Sequence, residues 1–225
     1  MSDPEQIAVP VVTIDGPGGA GKGTVASAIA KALGWHLLDS GALYRIIAVA
    51  GLADGIALDD AQALVEMSEG LDIVFVDGQV QVNGADFTDA IRTEEAGNNA
   101  SQVAALPPVR DAIFALQQGF RRPPGLVADG RDMGTVVFTD APVKIFLDAS
   151  AEARAERRYN QLKNNGLGVN LRALLKQIQE RDARDRERAV APLKPAEDAL
   201  MIDSTQMTID EVVATVMAQI SSKVE

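Results

Sequence analysis

The stretch that most constrains this chain is Gly16-Pro17-Gly18-Gly19-Ala20-Gly21-Lys22-Gly23-Thr24. It follows a β-type apolar run, Val11-Val12-Thr13-Ile14, and opens a segment whose apolar residues Val25, Ile29, Ala32 and Leu33 keep helical spacing. A strand, a glycine-rich turn and a lysine at a helix start together make a phosphate cradle. Backbone N–H groups point inward, the helix terminus adds partial positive charge, and the lysine reaches the outer phosphates. The position after the lysine is Gly23, where a Ser or Thr hydroxyl commonly meets magnesium, and the hydroxyl comes one residue later, at Thr24.

Gly34 then reads as a helix stop and Trp35 to Asp39 as a short strand. The single histidine, His36, lies in that strand and is assigned no chemistry. Asp39-Ser40-Gly41 turns the chain into a helix carrying Tyr44 and Arg45, and Leu58 to Met67 predicts a further short helix. The period then changes: Leu71, Ile73 and Phe75 alternate, Asp77-Gly78 is a hairpin signal, and Val80 and Val82 alternate again. This antiparallel piece, about residues 70–90, is expected to lie in an inserted subdomain rather than the main sheet.

Helices are predicted over Thr93 to Ala105, over Pro108 to Phe120, from Ser150 to about Asn164, and from Asn170 to about Arg188. Buried strands are predicted at Leu126 to Asp129, Val143 to Leu147 and Leu200 to Ile202, and Thr208 to Glu211 forms a capping box for a terminal helix. The loop Asn164 to Gly168 is polar and glycine-rich, as a moving segment would be. Five strands alternating with helices, the first feeding the phosphate loop, predict a three-layer α/β fold with a parallel sheet.

Formal net charge is −11, unexpected for a phosphate handler until its distribution is considered. Residues 51–100 hold eleven acids and one base, whereas residues 154–188 hold ten bases and five acids. A local basic surface on an acidic chain suits a small anion better than a long nucleic acid. The first ten residues carry no Lys or Arg, and the longest uncharged apolar run, Ile46 to Ala53, is too short to span a bilayer. A cytoplasmic protein without membrane attachment is expected. There is no cysteine, hence no disulfide and no thiolate metal site.

Arg131-Asp132 lies just past the carboxyl end of a predicted parallel strand, where ligand crevices of open α/β sheets form. In Glu180 to Arg188, residues Arg181, Asp185 and Arg188 share one helix face. Taken alone, such a helix reads as a solvated surface laced with ion pairs, and Arg154, Arg157 and Arg158 as ordinary surface charges.

The form GKGT is similar to that of nucleoside monophosphate kinases. GPGGAGKGT, HLLDSGALYR (residues 36–45), NNASQVAA (98–105), VADGRDMGTVVF (127–138), APVKIFLDAS (141–150) and ERDARDRERAVAPL (180–193) together resemble the bacterial cytidylate kinase family. The resemblance runs from about Val11 to the terminal helix and implies transfer of the γ-phosphate of ATP to CMP or dCMP by a monomer. Gly16 to Thr24 would cradle ATP, with Mg2+ held through the ATP phosphates and Thr24 its candidate protein ligand. Arg45 and Arg131 would hold the acceptor phosphate, with Ser40 close by. Ser101, Arg110, Asp132 and Arg188 would surround cytosine, while Arg181 and Asp185 would face the sugar. Arg154, Arg157 and Arg158 would lie on or near a lid over ATP. The implied division is a core of about 7–69, 106–153 and 189–225, an acceptor-binding insert of about 70–105, a lid of about 154–170 and a substrate-contacting helix of about 170–188. Gly18 stands where the family often has Ser.

Another small-molecule kinase of this architecture is the nearest rival. A switch GTPase is disfavoured because no Asn-Lys-x-Asp occurs, and an RNA-binding module by acidity and an aromatic content of 4%, too sparse for base stacking.

Overall fold

The computed structural model describes residues 9–76, 79–164 and 168–224. The predicted turn at Asp77-Gly78, the Asn165 to Leu167 part of the glycine loop, and the first eight residues lie outside these. In chain order the first elements are β1 (Val11–Asp15), α1 (Lys22–Leu33), β2 (His36–Asp39), α2 (Ser40–Ala53) and α3 (Ala61–Glu69). The small strands β3 (Ile73–Val76), β4 (Gln79–Val82) and β5 (Ala85–Asp86) come next, then α4 (Glu94–Val103) and α5 (Pro107–Gln118). The chain ends with β6 (Leu126–Gly130), β7 (Val143–Asp148), α6 (Ala151–Asn164), α7 (Leu171–Glu187), β8 (Leu200–Asp203) and α8 (Ile209–Ser221).

Among the described residues β2-β6-β1-β7-β8 form a parallel sheet and β3-β4-β5 an antiparallel one. The alternation of side chains along a strand decides the layers. Val11 and, in β6, Leu126 and Ala128 face a cluster built with Leu43, Tyr44 and Ile47 of α2 and Val109 and Ile113 of α5. Val12, Ile14 and Val127 face the other side, against Val25 and Ile29 of α1 and Val212, Val216 and Ile220 of α8. With both faces covered, central strands read as continuous apolar runs, which is why VVTI and LVA were recognisable. The small sheet is seated on α2 through Val80 and Val82, which pack with Ala42 and Ile46. Among the described residues no helix is long and apolar enough to cross a membrane.

The strand order places β1 at the switch point: the chain steps from β1 out to β2, returns to β6 beside β1, then crosses to β7 and β8. A crevice therefore opens at the carboxyl ends of β1, β2 and β6.

Local capping follows the sequence. Gly34 closes α1 with φ 66°, Asn170 accepts from the Ala173 N–H, and Thr208 and Glu211 form the capping box. The structure differs in three places. α3 begins at Ala61 rather than near Leu58, because Asp60 caps it through the Ala63 N–H. β5 is a third small strand, entered through Asn83-Gly84, both at positive φ, a hairpin signal as strong as the one at Asp77-Gly78. After β6 the chain makes an unpredicted wide π-helical turn over Met133–Val137.

Leu64 of α3 is fully buried, and a Cβ placed on Gly51 of α2 would lie 2.6 Å from its Cδ2. Leu64→Ala is expected to lower stability by about 3 kcal/mol in urea unfolding. Because Leu64 is not on the cleft wall, kcat should stay at the wild-type value.

Candidate active site

A cleft of about 590 Å³ lies over the carboxyl ends of β1, β2 and β6. One wall is the phosphate loop. Gly21 precedes α1 at φ 95°, a conformation that costs glycine little, and α1 carries no side-chain cap at its N-terminus. Its first amides therefore remain directed at the cleft. Gly18, Gly19, Gly21, Lys22, Gly23 and Thr24 line the wall, whereas Gly16, Pro17 and Ala20 stand behind it. Lys22 folds back over the loop, donating from Nζ to the Pro17 carbonyl at 3.1 Å, with an Asp129 carboxylate oxygen 3.7 Å away. Burial, and then the nearby Arg131, lower the Lys22 ammonium to about 8, while burial pushes Asp129 up to about 6 against the pull of Lys22.

The opposite wall comes from α2, α4 and α7. Ser40 opens α2 and accepts from Gln117 Nε2 at 2.9 Å; Arg45 donates from Nη1 to the Ile91 carbonyl at 3.1 Å. Arg131 donates from Nε to Asp185 at 3.1 Å, and Ser101 Oγ donates to the other oxygen of Asp185 at 2.6 Å. The face of α7 that sequence alone would leave in solvent is turned inward: Asp185 is 3% exposed and Arg181 is half-buried. Burial and then Arg131 lower Arg181 to about 10, so it keeps its charge at neutral pH.

Arg45, Arg131 and Arg181 converge. A Cβ on Gly18 would lie 3.2 Å from Arg131 Nη2 and 3.4 Å from Arg181, and one on Gly97 would lie 2.9 Å from Arg181 and 4.0 Å from Arg45. A serine at position 18 would thus stand against two guanidinium groups. The Nε atoms of Arg45 and Arg181 are buried and have no hydrogen-bond partner among the described residues. Leaving such donors unmet costs about 1–3 kcal/mol each, so the arrangement is built to receive an anion.

Deeper in the cleft, Asp132 pairs with Arg110, and its second oxygen lies 3.9 Å from Arg188. Arg110 stands behind Asp132 rather than on the wall, stacked 5.9 Å from the Tyr44 ring. Arg154, Arg157 and Arg158 also line the cleft. Arg154 is 3% exposed and already engaged with the Ala149 and Gly18 carbonyls and with Asp182. Arg157 donates to Ser204, and Arg158 pairs with Glu94 across the cleft.

Several contributors were not picked out from sequence: Asp129 beside Lys22, Asp182 holding Arg154, Glu94 opposite Arg158, and Asp15. Burial pushes Asp15 up to about 7, although it accepts from the N–H groups of Gly134 and Met133. The available signal was positional: Asp15 ends β1, Asp39 ends β2 and Asp129 is the last residue but one of β6. His36 bonds to the Pro123 carbonyl at 3.0 Å and is structural, as expected.

Burial of Asp185 works to raise it, yet Arg131 and Arg181 hold it below the usual carboxylate range. A depressed value stabilises the fold above the ordinary 3.8 and is lost as pH falls through the folded value. The stability difference between wild type and Asp185→Asn should therefore be steady at neutral pH and shrink below 3.8, which thermal melts across an acid series would check.

Comparison with known proteins agrees with this geometry. Residues 12–222 match the family model described as cytidylate kinase. A cytidylate kinase of Aeromonas salmonicida is 61% identical over 213 residues, covering 93% of this chain and 93% of the relative. One from Pectobacterium atrosepticum is 58% identical over 216 residues, covering 94% and 96%. In fold alone, an uncharacterized protein from Eubacterium ventriosum is similar, with a TM-score of 0.51 at 13% identity over 96% of this chain and 99% of that one. The phosphate loop, the inward arginines and a match running nearly end to end lead to one conclusion: this chain belongs to the cytidylate kinase family.

Proposed function

We propose that the chain transfers the γ-phosphate of ATP to CMP or dCMP, giving ADP and CDP or dCDP. The observation that carries this reading is the convergence of Arg45, Arg131 and Arg181 opposite the phosphate loop, a second anion site end to end with the first. Phosphoryl transfer between two phosphates gathers negative charge, so catalysis is mostly positioning and neutralisation. Lys22 meets the transferring group; Arg131 and Arg45 hold the acceptor phosphate, with Ser40 beside it. An acceptor phosphate is already ionised at neutral pH, so no general base is needed.

Asp132 reads the base. Cytosine presents an exocyclic amine, for which a carboxylate is the natural acceptor, and uracil presents a carbonyl in its place. A carboxylate has about four acceptor positions, so Asp132 can take that N–H while paired with Arg110. Ser101, Arg110 and Arg188 complete the base pocket, and Arg181 with Asp185 faces the sugar.

Thr24 on the cleft wall and the Asp129 carboxylate beside Gly23 suit a hard cation such as Mg2+. Among the described residues there is no group of three or more His, Cys, Asp or Glu that could hold a metal ion. Bound there, the ion would neutralise charge on the transferring phosphates.

The reading includes an acceptor clamp of about residues 70–105, a lid of about 154–170 carrying Arg157 and Arg158, and a monomer acting in the cytoplasm on free nucleotides. A steady-state panel of CMP, dCMP, UMP and AMP with ATP tests it: cytidine nucleotides should lead in kcat/KM, and preference for AMP would overturn the base assignment.

A further inference from the structure

Asp15 ends β1, directly before the phosphate loop, and is 4% exposed. Its two carboxylate oxygens accept one each from the backbone N–H groups of Met133 and Gly134, both at 2.8 Å and more than a hundred residues away in sequence. Those amides follow immediately on Arg131-Asp132. Parallel pairing of β1 with β6 ends at Asp15 and Gly130, so beyond that point the sheet ladder no longer fixes the backbone. Asp132 itself is non-helical, at φ −151° and ψ 22°, and its carbonyl starts the wide turn. Its carboxylate is paired with Arg110, and its backbone is held by the anchoring of the next two residues. Met133 is fully buried beneath Gly130, and both N–H groups end on Asp15.

We propose that Asp15 is a positioning residue of the transfer reaction: by holding the Met133-Gly134 backbone it aims Asp132 and Arg131 at the acceptor nucleotide, and ties that loop to the one cradling ATP. This rests on the reading that Asp132 meets the base. The residue type follows from the geometry. Each of the two adjacent N–H groups ends on its own oxygen, an arrangement that a carboxylate supplies and an amide, with one oxygen and one NH2, does not. In Asp15→Asn one oxygen is replaced by an NH2 that opposes a backbone N–H.

The test is kinetics of the full-length chain with CMP, UMP and ATP. Asp15→Asn should raise KM for CMP by about tenfold or more and erode the CMP over UMP preference, with KM for ATP within about threefold of wild type. The Met133 and Gly134 amide resonances should move in the same variant. Gly134→Ala supplies an independent route, because its Cβ would lie 2.8 Å from Thr13 Oγ1 and 3.3 Å from Asp15 and so push the turn off its anchor. It should give the same split, and it decides the matter should Asp15→Asn not fold. Wild-type KM for CMP and base preference in these variants, or equal losses toward CMP and ATP, would overturn the inference. Asp132→Asn is measured alongside. If it changes base preference and the Asp15 and Gly134 variants do not, only the positioning role fails; if it does not, the base-reading role fails and the positioning role with it.

Discussion

Replacing Lys22 with methionine is expected to lower kcat by roughly 10³-fold while leaving the chain folded. Lys22 is 5% exposed and bends over the phosphate loop, with its ammonium between the Pro17 carbonyl and Asp129. A charge held in that dry position needs no reorganisation when negative charge shifts onto the transferring group, so its loss should fall on kcat more than on KM for ATP. Methionine keeps most of the buried apolar stem. It also strips Asp129 of its cation, ordinarily a severe cost. Here burial has already raised Asp129 to about 6, so losing Lys22 lets it take a proton near neutrality. A carboxyl with a raised value penalises folding as pH rises, so the variant should be closer to wild-type stability at pH 6 than at pH 8. Single-turnover rates and melts at both pH values check this, and a kcat within tenfold of wild type would contradict the assignment.

Asp132→Ala should produce the largest loss of stability, roughly 3–5 kcal/mol in urea unfolding. Asp132 pairs with Arg110 and lies near Arg188, with all three side chains less than a tenth exposed. Removing the carboxylate leaves two guanidinium groups buried beside each other, Arg110 without its ion-pair partner and Arg188 with Asp185 as its remaining counter-charge. Asp132→Asn keeps an acceptor for one of them and should lose less. Both variants should also lose preference for CMP over UMP, because the same oxygens are proposed to meet the cytosine amine. A variant that is both stable and selective would separate Asp132 from the base.

Much of the fold is legible in the sequence. The five main strands, the phosphate loop, the Gly34 stop and the caps at Asn170 and Thr208 are local patterns of two to ten residues, and all are present. Of the residues that the resemblance singled out, Gly16, Pro17, Ala20 and Arg110 stand behind the cleft wall and the others line it. What escaped was short or non-local. β5 has two residues, too few for any period to register, and the turn after β6 is fixed by Asp15 from a distant strand.

The sequence by itself determined the phosphate-binding chemistry and the order of strands and helices, because glycine spacing, apolar period and capping residues act within a few positions of one another. Only the tertiary structure decided which charges work together. ERDARDRER reads equally well as a solvated helix, and it is the packing of α7 against α4 and α6 that turns Arg181 and Asp185 inward. Asp15 with Met133, Lys22 with Asp129 and Arg110 with Asp132 are pairs brought together by chain crossings. Burial then shifts the proton affinities of Asp15, Lys22 and Asp129, and no local pattern in the chain encodes that dependence.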